Sequence, residues 1–501
     1  MPGYAGGAVG DVFAGFRSAV AAIEGRAAGA AAARLDLAGL EREVTVRGRE
    51  LERLLLQARL DLRAARERRL PRVTAADGST RTRAERGRSR QLATVVGPVT
   101  VTRIGYRAAG VSIMYPAGEQ LSLPREKHSL GLRELAAIEA ASGSFEQAAA
   151  AVARVTGARA GKRQVEQLAR RAAADFESFC ARPRRGVPGG GSVLVLEADG
   201  KGIKMRPDSL RPRAARKAAR AAPKQQGRLS RGEVRTRERM AEVGAVFEIT
   251  PVPRTAEDIL PGSGPATADA AGAPRAQDKH LTASVAADAA QVIGTVFAEA
   301  GRRDPARRRT WIALADGNKD QIACIQAEAA ARGIDVPVII DLIHVTEYLW
   351  DAAWCFHPEA SPEAARWVRA HARAILGGHA AQVAAAIRSR AAALQLPANK
   401  RKTAATATRY LETKAPYLRY ATALAAGWPI STGVIEGACR HLVKDRMDIT
   451  GARWSTPGAE AILKLRAIRA NGDWDQYWRW HLHQEHQRTH RNHRTCYQLA
   501  A

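Results

Sequence analysis

The chain has 501 residues, 46% of them hydrophobic, with 78 Lys and Arg against 50 Asp and Glu and a formal charge of +28. At about 100 to 200 residues per domain it holds two to four domains, and so basic a chain expects a polyanionic partner, nucleic acid before an acidic membrane surface. No apolar run reaches the ~18 residues of a membrane span. MPGYAGGAVGDVF lacks a secretory pattern, and five scattered cysteines without a C-x-x-C pair exclude a disulfide framework or zinc ribbon.

Residues 1–40 are rich in Ala and Gly and carry little pattern. From 41 to 69, Leu51, Leu54, Leu55, Ala58 and Leu62 recur at helical spacing between charged flanks. Residues 71–91 are polar, Arg-rich and expected to form a loop. Residues 1–91 are thus an N-terminal helical and oligomerisation region. LATVVGPVTVTRIGYRAAG, 92–110, has strand composition, with Gly97 and Pro98 as the turn. Residues 131–180 read as helical. Within them SFEQAAAAVARVTGARAGKRQVEQLARRAAADF shows helix, a break at Thr156 and Gly157, then helix. This is helix-turn-helix spacing, and Lys162, Arg163 and Gln164 open the second helix, where recognition helices contact DNA. Residues 92–185 are therefore expected to be a strand pair with DNA-binding helices, ended by the linker GVPGGGS at 186–192.

In GSVLVLEADGKGIKM, 191–205, an apolar strand climbs into Asp199. A buried carboxylate is costly unless it is paired or holds a metal, so Asp199 needs partners. Residues 201–240 hold fourteen Lys and Arg against three acids, a phosphate-contacting arm. A strand is expected at 242–250, a Pro/Gly/Ala-rich excursion at 251–278 and a helix at 282–300. RTWIALADGNKD then carries Asp316 at the tip of a second apolar run, again reading A-D-G, where small neighbours permit close approach. VPVIIDLIHVTEYLWDAA passes from strand to helix at Asp341 and His344. Residues 361–426 are helical. In GWPISTGVIEGACRHLVKDRMDITGARW, Ser431 or Thr432 caps a helix on which Glu436, Arg440 and Lys444 recur every four residues and share a face.

Asp199, Asp316 and Glu436 form the expected constellation, at spacings 316 − 199 = 117 and 436 − 316 = 120. Three carboxylates from a sheet and a helix suit Mg²⁺ or Mn²⁺, which take oxygen ligands. Two such ions about 3.5–4 Å apart serve phosphoryl transfer. Lys201, Arg440, Lys444, Arg446 and Arg453 flank the acids as DNA contacts.

VLEADGKGIKMR, RGEVRTRERMAEVGAVFEI, IALADGN, DLIHVTEYLWDAA and STGVIEGACRHLVKDRMDITGARWS resemble the DDE transposases of ISKra-type bacterial insertion sequences, more distant kin of the Mutator-like transposases. The resemblance runs from about residue 90 to about 480. It implies an α/β fold: an RNase H-like catalytic core, a mixed sheet flanked by helices, with a helical insertion before the third acid and a mainly helical DNA-binding region in front. The core spans 192–350, the insertion 351–427, and the Glu436-bearing return 428–470. The resemblance makes Asp199, Asp316 and Glu436 the metal triad. It matches Asp341 and His344 to a D-x-x-H element, with His344 near the scissile phosphate and Asp341 a secondary candidate. Relatives often carry cysteines near the stretch that here reads YRAAGVS; this chain has none there, so no zinc is expected in that module. Residues 471–501 are a Trp/His-rich basic tail, with Trp474, Trp478 and Trp480 packing on the core.

The expected activity is Mg²⁺-dependent cleavage and strand transfer at the ends of a mobile element. The expected partners are double-stranded DNA, as terminal repeats and target, and at least one further copy of the chain. The expected compartment is the bacterial cytoplasm, at the nucleoid when DNA-bound. The rival readings are a structure-selective nuclease on the same fold and a domesticated DNA-binding protein with an inactive core. No P-loop, Rossmann glycine fingerprint or G-x-S-x-G supports small-molecule chemistry.

Overall fold

The computed structural model describes residues 11–75, 78–182, 193–220, 238–260, 272, 274–449 and 451–490. It divides into two units, residues 1–180 with 473–501, and residues 181–472. The expected linker at 186–192 lies outside the described residues.

In the first unit, α1 (Ala14–Ala27) precedes α2 (Leu37–Ala65). The longer helix starts before residue 41 because Asp36 caps it, accepting from Gly39 N at 2.8 Å. Two short strands, β1 (Val73–Thr74) and β2 (Thr80–Arg81), pair with each other. β3 (Arg83–Thr94) then pairs antiparallel with β4 (Gly97–Arg107). The expected loop over 71–91 is therefore strand for much of its length. Its polar residues are the outward side of a hairpin: Arg86, Ser89 and Gln91 are exposed, while Leu92, Val99 and Val101 pack with Leu56 and Leu60 of α2. The turn sits at Val95 and Val96, not at Gly97 and Pro98. Gly97, with φ +114°, already pairs with Thr94.

The helical stretch resolves into α3 (Pro116–Gln120), α4 (Leu130–Ser142), α5 (Phe145–Thr156), α6 (Lys162–Ala172) and α7 (Phe176–Cys180). A Ser144–Gln147 capping box starts α5, and Gly157 at φ +68° ends it, so the expected helix–break–helix is present. The C-terminal helix Trp474–Thr489 belongs to this same unit. Tyr477 and Trp478 are buried in it, and the Tyr477 hydroxyl donates to Ala172 O. The C-terminal segment to residue 490 is thus part of the N-terminal unit's core rather than a separate tail; 491–501 lie outside the described residues.

The second unit is built on a five-stranded mixed sheet. β5 (Val193–Lys204), β6 (Glu238–Ile249) and β7 (Gln277–Ser284) form an antiparallel meander, and β8 (Thr310–Ala315) and β9 (Val338–Ile340) run parallel to β5, in the order β7-β6-β5-β8-β9. Val193 to Leu196 and Ile312 to Ala315 are all within the main core, as uninterrupted apolar runs of parallel strands require. β5 does not stop at Asp199; it runs on to Lys204 against β6. β7 occupies the end of the expected excursion and the start of the expected helix. It is a short edge strand with exposed Gln277, Asp278 and Lys279, so it lacks an apolar signature. The helix begins only at Ala289.

The helices are α8 (Pro212–Arg220), α9 (Ala256–Ile259), α10 (Ala289–Arg303), α11 (Lys319–Arg332) and α12 (Leu342–Phe356). The basic arm is thus β5's end and α8, with 221–237 outside the described residues. An all-helical layer follows: α13 (Pro362–Leu376), α14 (Ala380–Ala393), α15 (Ala398–Lys414) and α16 (Tyr420–Ala425). The chain returns through α17 (Gly433–Ala438), a π turn over Cys439–Lys444, α18 (Asp445–Met447) and α19 (Thr456–Ala470). The unit is α/β, a mixed sheet flanked by helices. Among the described residues no helix is long and apolar enough to cross a membrane.

Candidate active site

Register sets the site. In the parallel pair, Leu196 faces Ala313 and Glu197 faces Leu314. Two residues further on, one strand carries Asp199 and the other has just ended at Asp316, so both acids lie at the same edge of adjacent strands. Asp316 turns the chain: its Oδ1 accepts from Asn318 N at 2.7 Å. Gly317 follows at φ +95°, where a Cβ would come within 2.6 Å of the Tyr410 hydroxyl, so both conformation and space require glycine. The next strand brings a third acid to this edge: Asp341 N donates to Ala315 O at 2.8 Å.

Asp341 is fully buried and heavily used. Its Oδ1 accepts from Ile343 N and from Thr432 N, each at 3.3 Å, and its Oδ2 lies 2.9 Å from His344 Nδ1. The hydrogen bond to Asp341 outweighs burial and lifts His344 to about 9, with Glu347 and Asp316 adding to the pull. At neutral pH His344 is an imidazolium. Glu436 arrives on α17, and ligand-type atoms of Asp341, His344 and Glu436 lie within 4.8 Å of one another. Within this trio His344 pairs with Asp341, and Glu436 lies close to both. The structure groups Glu436 with Asp341 and His344; Asp199, within β5, and Asp316, just past the end of β8, lie outside that trio. Beside it a cavity of about 430 Å³ is lined by Asp316, Asn318, His344, Glu347 and the stacked Tyr348 and Tyr410 rings.

Asp199 is half-buried. Its Oδ1 accepts from Gly200 N at 2.7 Å and its Oδ2 from the Cys439 thiol at 3.3 Å. Burial and then the Asp199 charge push that thiol far up, so it stays protonated. On β6, Glu242 is raised by burial and, among its neighbours, by Asp199. Glu197, absent from the expected set, is 1% exposed and raised to about 8, by burial first and then by Asp341 and Glu436. Among the described residues no Lys or Arg forms an ion pair with Asp199, Asp316 or Glu436. Carboxylates gathered at one sheet edge, with Asp199, Asp316 and Glu436 unpaired with any Lys or Arg among the described residues, form an oxygen donor set that fits a hard divalent cation.

The expected basic residues divide. Lys201, Arg440, Lys444 and Arg453 are exposed. Arg446 is not: it is 2% exposed, with its guanidinium 4.7 Å from the Trp454 ring centroid, and burial followed by Arg466 lowers it to about 10. It packs the core instead of facing solvent. The expected continuous face through Glu436, Arg440 and Lys444 is also interrupted. The α-helix ends at Ala438 and the chain widens into the π turn, which keeps Cys439, Leu442 and Val443 inward. Lys162, Arg163 and Gln164 are exposed at the start of α6 in the other unit, though Gln164 also caps that helix, accepting from Gly161 N at 2.8 Å. His486 and His490 are engaged by Ser122 Oγ and Leu123 O.

No protein-family model matches the chain, and no curated protein matches it.

Proposed function

We propose that the chain is a DDE transposase of the ISKra type with an RNase H-like core, acting on the ends of its own insertion sequence. The observation that carries this reading is the register that sets Asp199, within β5, level with Asp316, just past the end of the parallel β8, with Glu436 brought beside Asp341 at the same edge by a helix far downstream. The strand pattern, an antiparallel meander joined to two parallel strands, and the helical layer before Glu436 support the fold half of the reading.

Asp199, Asp316 and Glu436 would hold two Mg²⁺ or Mn²⁺ ions, whose chemistry would be activation of the attacking oxygen and stabilisation of the leaving one. The chain's own part is placement and charge. His344, an imidazolium fixed by Asp341, attracts the scissile phosphate to the acid edge. Lys201, Arg440, Lys444 and Arg453 contact the flanking phosphates, and Lys162, Arg163 and Gln164 read the element ends. Water cleaves at the end and frees a 3′-hydroxyl, which then attacks target DNA in line, with no covalent protein intermediate. Joining two ends calls for at least two copies of the chain, working on DNA in the bacterial cytoplasm.

The test is transposition in cells, with the gene and its native flanking DNA on a plasmid, for the wild type and Glu436→Gln. New insertions from the wild type and none from the variant are expected. Equal insertion by both removes Glu436 from the site. Nicked ends that are never joined, with purified protein and Mn²⁺, make the chain a nuclease instead. DNA binding without cleavage makes it a binding protein with an inactive core.

A further inference from the structure

The helix that delivers Glu436 has no cap of its own. Thr432 stands at its N-cap position, but its side chain makes no capping hydrogen bond. The first amides of a helix have no partner within it and must find one outside. Here they find it in the sheet. Asp341 accepts from Thr432 N at 3.3 Å, and Glu197, in the middle of β5, accepts from Ile435 N at 2.7 Å through Oε2. Glu197 interrupts a Val-Leu strand at a position 1% exposed, and its Oε1 has no hydrogen-bond partner. An apolar residue would suit the strand better. Its one hydrogen bond reaches the residue immediately before Glu436. Glu197 also precedes Asp199 by two positions on the same strand, and therefore shares its face.

We infer that Glu197 is a positioning residue: it caps α17 from across the sheet and sets Glu436 against Asp199. This rests on the role proposed above for Glu436. What Ile435 N–H requires is an acceptor oxygen at the right reach, not a negative charge. Gln supplies that oxygen at the same length; Asp keeps the charge but falls a methylene short.

The experiment compares the full-length wild type with Glu197→Gln and Glu197→Asp. It measures kcat and KM for Mn²⁺-dependent cleavage of the flanking DNA, and amide hydrogen exchange across residues 432–438. Glu197→Asp is expected to lose about 100-fold in kcat, as a misplacement of about 1 Å does. Its KM for DNA stays within about twofold, because the phosphate contacts are elsewhere, and the Ile435 amide loses protection. Glu197→Gln keeps that protection and restores kcat to within about threefold of the wild type. The reverse order, with Glu197→Asp active and Glu197→Gln inactive, overturns the inference, because charge rather than reach would then matter. Unchanged Ile435 exchange in Glu197→Asp overturns it equally. The exchange measurement needs no DNA chemistry. A wild type that does not cleave therefore refutes the transposase reading while the cap itself is still decided.

Discussion

Both units bury charge, and they do so in opposite ways. In the first unit Arg133 is 0% exposed and pairs with Glu126 and Glu485, while its Nη1 lies 3.1 Å from His481 Nε2. His481 Nδ1 lies 2.7 Å from Asp175, which also receives two hydrogen bonds from Arg488 at 3.0 Å. Burial pushes Asp175 up, but the hydrogen bonds from His481 and Arg488 outweigh it and hold it near 2. Glu126 and Glu485 are lowered by the same balance. On β5 and β6 of the second unit the balance tips the other way, and burial raises Glu197 and Glu242. A network whose acids are all lowered is matched by cations. Acids raised by burial, beside carboxylates that no Lys or Arg pairs among the described residues, mark a candidate functional site. The contrast separates a structural network from a candidate active site without reference to any relative.

The largest effect should come from removing an acid that lacks a cation. Asp199→Asn or Asp316→Asn is expected to lower DNA cleavage by at least ~10³-fold, and chelation with EDTA to abolish it in the wild type. Neither substitution should lower the urea midpoint, since each relieves like-charge repulsion. A cleavage rate within tenfold of the wild type for both would break the contrast. The matched network predicts the converse. Arg133→Met strands Glu126 and Glu485 and is expected to cost about 3–5 kcal/mol in urea unfolding. A loss below ~1 kcal/mol would show that this network does not hold its unit together.

How much of this was legible beforehand follows the same division. Asp199, Asp316 and Asp341 announce themselves because each ends or follows an apolar run, and a strand buried on both faces leaves few places for an acid. Glu197 sits inside such a run, two residues before Asp199, and the E-A-D pattern on one strand face was the available signal. Its function was not legible, because the Ile435 amide it meets is 238 residues away. Arg446 was misread because a basic residue near an acidic helix reads as solvent-facing; only tertiary structure shows the Trp454 ring over it. The Arg-rich start of β3 and all of β7 were not legible because strands with one wet side carry too few apolar residues to stand out from loops. The C-terminal helix was expected to pack, but sequence does not reveal against which unit.

Acid and base should also attack the two networks separately. Asp175 titrates near 2 in the native state against 3.8 when unfolded. Its contribution, about 2 kcal/mol from the size of that shift, is complete above pH ~4 and is lost as pH falls towards 2. His344 is raised from 6.5 to about 9. Its contribution is complete below pH 6.5 and is lost as pH rises through about 9. Urea midpoints measured across pH should therefore show an acid arm that Asp175→Asn flattens and an alkaline arm that His344→Gln flattens. If one variant flattened both arms, the two networks would not be independent.

The smallest effect tests which basic residues touch DNA. Each lysine or arginine that neutralises a phosphate adds about one counterion to the salt dependence of binding. Lys162→Ala, Lys444→Ala and Arg453→Ala, all at exposed positions, should each reduce the slope of log affinity against log salt by about 1. Arg446→Met should leave that slope unchanged, because its guanidinium lies against Trp454 and never reaches a phosphate; its effect should appear in the unfolding midpoint instead. Arg446 and Arg453 are seven residues apart and carry the same charge. Equal slope changes for the two would mean that net charge alone governs DNA binding. A change at Arg453 alone would mean that the buried and exposed positions described here decide which charges the DNA meets.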